Sequence, residues 1–220
     1  MSNCLFDISD MGRQHVQMEN ENRKSALILD SALPVFARYG FQKTTMADIA
    51  RATGISRASL YLAFNTKEEL FRAGSARAHE RTMSEVEAAL GRTGNVVDRI
   101  AAAISAFQEG LIAPFSKSDN AKELFDTNLK LAKDITIAAR SKLLDLLANV
   151  LAAAQAQGEI DLKALDVSPA DLAALIAAAM DGIKHSFSAD GRSDDALRLL
   201  MRVLSVALKP EEKNADGTTG

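Results

Sequence analysis

The stretch TTMADIARATGISRASLYLAFNTKEEL, Thr44 to Leu70, places three helix starts and one glycine within 27 residues. Each start is written in side-chain chemistry. Thr45 is followed three residues on by Asp48, Ser56 follows a turn, and Thr66 has Glu69 three residues on. A hydroxyl at such a position accepts from the exposed N–H groups of a first helical turn, and a carboxylate at the third position returns the bond. Between the first two caps, Thr53-Gly54-Ile55 leaves room only for a tight turn. Gly54 there tolerates left-handed backbone, and Ile55, just before the Ser56 cap, can staple onto Leu60. Ala50 is small, as one helix crossing closely over another requires. The spacing predicts a helix-turn-helix packed on a preceding helix through Ile28, Ala32, Phe36, Ile49, Leu60 and Phe64. Two such short helices bury little, but they project the N-terminal end of the second toward a DNA major groove.

The rest of the chain reads as helix. Apolar residues make up 47% of 220, Gly is 12 and Pro only 4, and Ala and Leu dominate over Val, Ile and Thr, so the expected class is all-α. From Arg23 to Tyr39, Ile28, Leu29, Ala32, Val35, Phe36 and Tyr39 share one helical face; Pro34 should bend that helix and Gly40 close it. Further helices are expected over Lys67–Leu90, over Val96–Ala113 with Pro114 as the stop, and once or twice between Ala121 and Ile137. Others should run from Ala138 to Gln157 up to Gly158, from Ser168-Pro169 onward, and from Ser193 to Lys209 before Pro210. Residues 1–20 are polar without a sustained period and read as a flexible leader, in which Met11 and Met18 leave the translation start open. The domains expected are 21–77, the helix-turn-helix part, and 78–209, a larger helical part, with a disordered tail over 210–220.

Charge is unevenly spread. The net charge is −3, yet Glu21 to Arg77 holds nine Lys or Arg against five Asp or Glu. Attraction to a polyanion depends on the facing patch and not on the total, so this basic third suits phosphate contact. The single Cys4 allows no internal disulfide and no thiolate-rich metal site, which fits a reducing, cytoplasmic setting. The apolar run Leu172 to Met180 is too short to span a bilayer, and no export signal stands at the N-terminus. His15, His79 and His185 lie on different segments, and there is no H-E-x-x-H, Cys/His pair or Gly-rich phosphate loop. Catalysis, a metal and a cofactor are therefore not expected.

At this point GFQKTTMADIARATGISRASLYLAFNTKEELF, preceded by ILDSALPVFARYG, resembles the N-terminal DNA-binding domain of the tetracycline-repressor (TetR) family of bacterial transcription regulators. The resemblance covers about residues 23 to 72. It rests on the helix-one pattern ending in Phe36 and Gly40, the Thr pair, DIA, GIS, LY, the following Phe64 and KEEL, all in order and spacing. Two positions depart: Ala63 stands where the family usually has His, Tyr or another polar residue, removing one phosphate contact, and Thr53 stands where Ala is commoner.

Arg57, Ala58, Ser59 and Leu62 fall on the exposed side of the second short helix. A guanidinium meets the O6/N7 edge of guanine with two hydrogen bonds, a hydroxyl serves base edge or phosphate, and an apolar side chain touches a thymine methyl. Thr44, Thr45, Tyr61 and Lys67 resemble the family's phosphate clamps, each offering a donor near a helix N-terminus. Tyr61 could equally pack in the core.

Beyond Arg77 the family implies a larger helical domain that holds a small-molecule effector and forms a homodimer on a palindromic double-stranded DNA operator, repression being the default. Met83, Phe107, Phe115, Phe125, Met180 and Phe187 lie on helices that could line the effector cavity, and His185 beside Lys184 could pair with an acidic ligand. Met and aromatic residues at helical spacing are more often core than pocket. Both tyrosines, Tyr39 and Tyr61, lie in the DNA-binding part and there is no Trp, so a Tyr/Trp cage for a cation cannot be built and an apolar or weakly polar effector is expected. Leu143, Leu144, Leu146, Leu147, Val150 and Leu151, and likewise Leu172, Leu175, Ile176, Ala179, Met180 and Ile183, occupy more than one face of their helices. This pair of helices is expected to meet its twofold copy in a four-helix bundle.

Overall fold

The computed structural model describes residues 8–111, 118–187 and 193–210. Among these residues every regular element is helical: α1 (Ile8–Tyr39), α2 (Met46–Thr53), α3 (Arg57–Ala63), α4 (Lys67–Leu90), α5 (Val96–Leu111), α6 (Ala121–Leu131), α7 (Lys133–Ala156), α8 (Pro169–Phe187) and α9 (Ser193–Ala207). A 3-10 turn spans Lys163–Leu165. Pro34 lies inside α1, and the helix runs on through it to Tyr39, where Gly40 follows at φ +82°.

The chain divides into two compact units, Met1–Ala78 with Ala113–Ile135, and His79–Ile112 with Thr136–Gly220. Two expected boundaries change. The leader expected over 1–20 is helical from Ile8 on, because Gln, Glu, Met and Arg are good helix formers even where no apolar period marks them. The segment 118–135 belongs with the N-terminal unit, since Leu124 enters that unit's core and Ser118, Asn120 and Glu123 bond to the end of α1 and to Gln42. The tail expected over 210–220 lies, from 211, outside the described residues.

In the first unit all six residues expected to pack the helix-turn-helix on α1 are buried, with Ile28, Ala32, Phe36, Ile49 and Leu60 at 0–1% exposure. Phe36, Phe41 and Phe71 add a ring cluster with centroids 5.3 to 5.4 Å apart, two of the three contacts edge-on, the geometry aromatic quadrupoles favour. The second unit is centred on stripes of period 3.6: Leu143, Leu147 and Leu151 of α7, Leu172, Ile176 and Met180 of α8, and Leu197, Met201 and Leu204 of α9.

Candidate nucleic-acid interface

The two short helices start where their caps place them. Thr45, at φ −108° and ψ 159°, accepts from the Asp48 N–H at 3.2 Å, while the Asp48 carboxylate accepts from the Thr45 N–H at 3.0 Å and from its hydroxyl at 2.6 Å. These bonds from Thr45, chiefly from its hydroxyl, hold the Asp48 carboxyl below its ordinary pKa. After eight residues α2 stops at Gly54, at φ +70° and ψ 20°, and the Ile55 N–H closes the turn on the Ala50 carbonyl at 3.1 Å. Ser56 then caps α3, its hydroxyl accepting from the Ser59 N–H at 3.0 Å and donating to the Ser59 hydroxyl at 3.1 Å. The third cap is half of what was expected. Thr66 accepts from the Glu69 N–H, but the Glu69 carboxylate reaches back to the Asn65 N–H at 2.9 Å, one residue earlier than a reciprocal box requires.

Leu60 is fully buried and anchors α3, which turns Arg57, Ala58, Tyr61 and Leu62 outward. Leu62 is 88% exposed, a large apolar surface left in water on a seven-residue helix. Ser59 is half-buried. Neither the Arg57 guanidinium nor the Tyr61 hydroxyl has a hydrogen-bond partner among the described residues, so their donors remain uncommitted.

Two of the expected phosphate clamps are placed otherwise. Thr44 is 2% exposed, and its hydroxyl donates to the Gly40 carbonyl at 2.6 Å, closing the end of α1. The Lys67 ammonium is likewise engaged, donating to the Phe41 carbonyl at 2.7 Å while lying 4.4 Å over the Phe41 ring. Thr45 and Tyr61 remain exposed. Sequence reading passed over Lys43, which is exposed beside the α2 N-terminus with its ammonium unpaired among the described residues. The available signal was a cation two residues before a helix cap, where phosphate is also drawn by the helix dipole.

The expected effector residues scatter. Met83 and Met180 are packed in the second unit's core at 3% and 5% exposure, with Phe107 partly buried against it. Phe125 is 60% exposed on α6 of the first unit, because that helix spends Leu124 and Thr127 on its buried face, and so it stands apart from Met83, Phe107 and Met180 of the second unit. Phe115 lies outside the described residues, and His185 and Phe187 lie on α8 with side chains outside the description.

Two capped helices across a left-handed glycine turn, with an outward face of uncommitted polar and apolar side chains, define a helix-turn-helix head of the DNA-binding type. Residues 28–73 match the family model described as bacterial regulatory proteins, tetR family. That segment of the chain carries the family's sequence signature. The chain is 44% identical over 57 residues to the uncharacterized HTH-type transcriptional regulator YfiR of Bacillus subtilis, covering 26% of this chain and 28% of that protein. It is 40% identical over 62 residues to the HTH-type transcriptional repressor ComR of Escherichia coli, covering 28% and 30%. The matched segment thus spans under a third of either relative. Over the greater length the likeness is one of fold: a TetR transcriptional regulator from Chloroflexus aurantiacus superposes with a TM-score of 0.67 at 23% identity, covering 87% of this chain and 99% of that one.

Proposed function

We propose that this protein is a ligand-responsive transcriptional regulator, in the simplest case a repressor, that binds a palindromic DNA operator as a homodimer and is released by a small molecule. The observation that carries the reading is the outward face of α3, where Arg57 and Tyr61 keep free donors and Leu62 stands 88% exposed while Leu60 locks the opposite side. Arg57 is the base reader; Ala58, Ser59 and Leu62 complete the contact, with Thr45, Tyr61 and Lys43 on phosphates. Among the described residues no helix is long and apolar enough to cross a membrane, and a cytoplasmic site of action fits.

The dimer surface is revised from the helix pair expected. On α7, Leu143, Leu147 and Leu151 turn fully inward and Leu144 and Leu146 are half-buried, whereas α8 exposes Ala174, Leu175 and Ala178 and α9 exposes Leu199, Val203 and Val206. These lie at helical spacing on two helices that contact each other, which supports α8 and α9 as the pair that meets its copy. Release follows if the effector prefers a dimer whose two α3 helices no longer match major grooves about 34–36 Å apart. The effector itself is apolar or weakly polar.

The test is gel-shift binding of the purified protein to its own promoter region. Arg57→Ala should lower affinity for the shifted fragment by roughly 1 to 3 kcal/mol and relax preference at one base pair. Equal losses on operator and scrambled duplex would remove Arg57 as a base reader.

A further inference from the structure

The turn Phe41–Lys43 delivers the chain from α1 to the Thr45 cap of α2, and one of its peptide planes is gripped at both ends. On one side the Lys67 ammonium, from the first residue of α4, donates to the Phe41 carbonyl at 2.7 Å and to the Gln42 carbonyl at 3.4 Å. On the other, the Glu123 carboxylate of α6 accepts the Gln42 N–H at 2.6 Å. The Phe41 carbonyl and the Gln42 N–H belong to the same planar peptide unit. Its dipole is therefore set between a cation and an anion, each making a charge-assisted hydrogen bond. The neighbouring backbone is tied from the same helix region: Asn120 Nδ2 donates to the Ala37 and Arg38 carbonyls at 3.2 Å each. Gly40 completes the fit, because a Cβ there would meet the Glu123 carboxylate at 2.5 Å and φ is +82°.

We propose that Lys67 and Glu123 are a pair of positioning residues for DNA recognition, holding the Phe41–Gln42 peptide and through it the presentation of α2 and α3. Lys67 then acts on binding through the turn and not as a phosphate contact. The inference rests on the reading of α3 as the recognition helix. A phosphate role would require the ammonium to leave two carbonyls and an aromatic face, or to work with its one remaining N–H. For Glu123 the two roles carry opposite signs: a carboxylate near a polyanion repels it, so simple electrostatics makes its removal favourable, whereas loss of a positioning acceptor is unfavourable.

The experiment uses the full chain with two probes, a duplex enriched from a random-sequence pool by the wild-type protein and a scrambled duplex of the same composition, at several salt concentrations. Lys67→Met and Glu123→Ala should each weaken the enriched duplex on the order of tenfold while leaving the scrambled one nearly unchanged, with the salt slope kept. The double variant should bind no worse than the weaker single, since one peptide is released in all three. Glu123→Gln, which keeps an acceptor of the same size, should restore most of the loss and the slow exchange of the Gln42 amide. Should Lys67→Met fail to fold, the Glu123→Ala and Glu123→Gln comparison carries the test alone. An equal loss on both duplexes with the slope reduced by about 0.9 makes Lys67 a phosphate contact and overturns the proposal. So does tighter binding by Glu123→Ala. If the wild-type protein enriches no duplex, the recognition-helix reading fails and the proposal with it; enrichment followed by either of the preceding results sinks the proposal alone.

Discussion

Placing a charge on the alanine side of α8 separates assembly from folding. Ala173 and Ala177 are 1% and 2% exposed, whereas Ala174 and Ala178, one residue further round the helix, are exposed beside Leu175 at 63%. Ala174→Glu with Ala178→Glu should therefore leave the single chain folded, at a cost of a few tenths of a kcal/mol per residue in helix propensity. In a dimer closed over this face, each carboxylate loses water without a partner, an effective penalty of several kcal/mol per ion. Even about 4 kcal/mol in all raises the dimer dissociation constant roughly a thousandfold, enough to make a micromolar sample monomeric. Operator affinity should fall with it by about 10²- to 10⁴-fold, because two linked half-site contacts become one. Light scattering, far-UV circular dichroism and gel shift on the same samples read the three consequences. A wild-type protein already monomeric at micromolar concentration, or a double variant that stays dimeric with full operator binding, refutes the assignment of this face.

Gly54 stands at φ +70° with nothing within 4 Å of where a Cβ would sit, so substitution there costs backbone strain alone, about 1–2 kcal/mol for Ala, less for Asn and more for Val. Operator binding should fall in the order Gly, Asn, Ala, Val while α8 and α9 stay folded; wild-type binding by Gly54→Val would mean that the turn is not left-handed. The Asp134 carboxyl is held down to about 2, from 3.8, chiefly by the hydrogen bonds it accepts from Arg72. A depressed carboxyl stabilises the fold above its unfolded pKa and loses that contribution as pH falls through the folded value. The stability gap between wild type and Arg72→Met should accordingly be full above pH 3.8 and close toward pH 2, and a carboxyl carbon titration of Asp134 near 3.8 in the wild type would show that the pair does not form.

The helix-turn-helix was legible because its signals are local. A cap needs only a hydroxyl and a backbone N–H three residues away, as at Thr45 and Ser56, and a left-handed turn needs only Gly54. What depends on partners distant in the chain was not legible. Thr44 and Thr45 are the same residue type side by side, yet one hydroxyl is buried on the Gly40 carbonyl and the other caps α2. Nothing in the local sequence separates them. Lys67 carries the charge of a phosphate contact, and only the fold brings the Phe41 carbonyl to it. The helices of the second unit show the same limit in another form. Apolar residues on two faces of α7 and α8 announce a surplus, but which face turns inward follows from packing, and the exposed stripe on α9 at Leu199, Val203 and Val206 was not seen at all.

The most consequential of these distant partners is α6, because it moves the edge of the DNA-binding head. Two helices of eight and seven residues cannot hold themselves, and their rigidity is borrowed from α1, α4 and, across more than forty residues of sequence, α6. Leu124 is 3% exposed in the cluster that contains Phe36, Ile49 and Leu60, and Asn128 bonds to Ser75 at 2.9 Å. If residues 118–135 are structurally part of the head, Leu124→Ala removes core from it at a cost of about 2–5 kcal/mol, felt as far as α2 and α3. Amide hydrogen exchange reads this without any DNA: protection in α2 and α3 should drop by the same free energy as in α6, since one cooperative unit opens as a whole. A head that ends at Arg77 predicts something else, faster exchange in α6 with α2 and α3 unchanged. That pattern would restore the boundary expected from sequence and leave α6 as a neighbour of the reading head with no part in its stability.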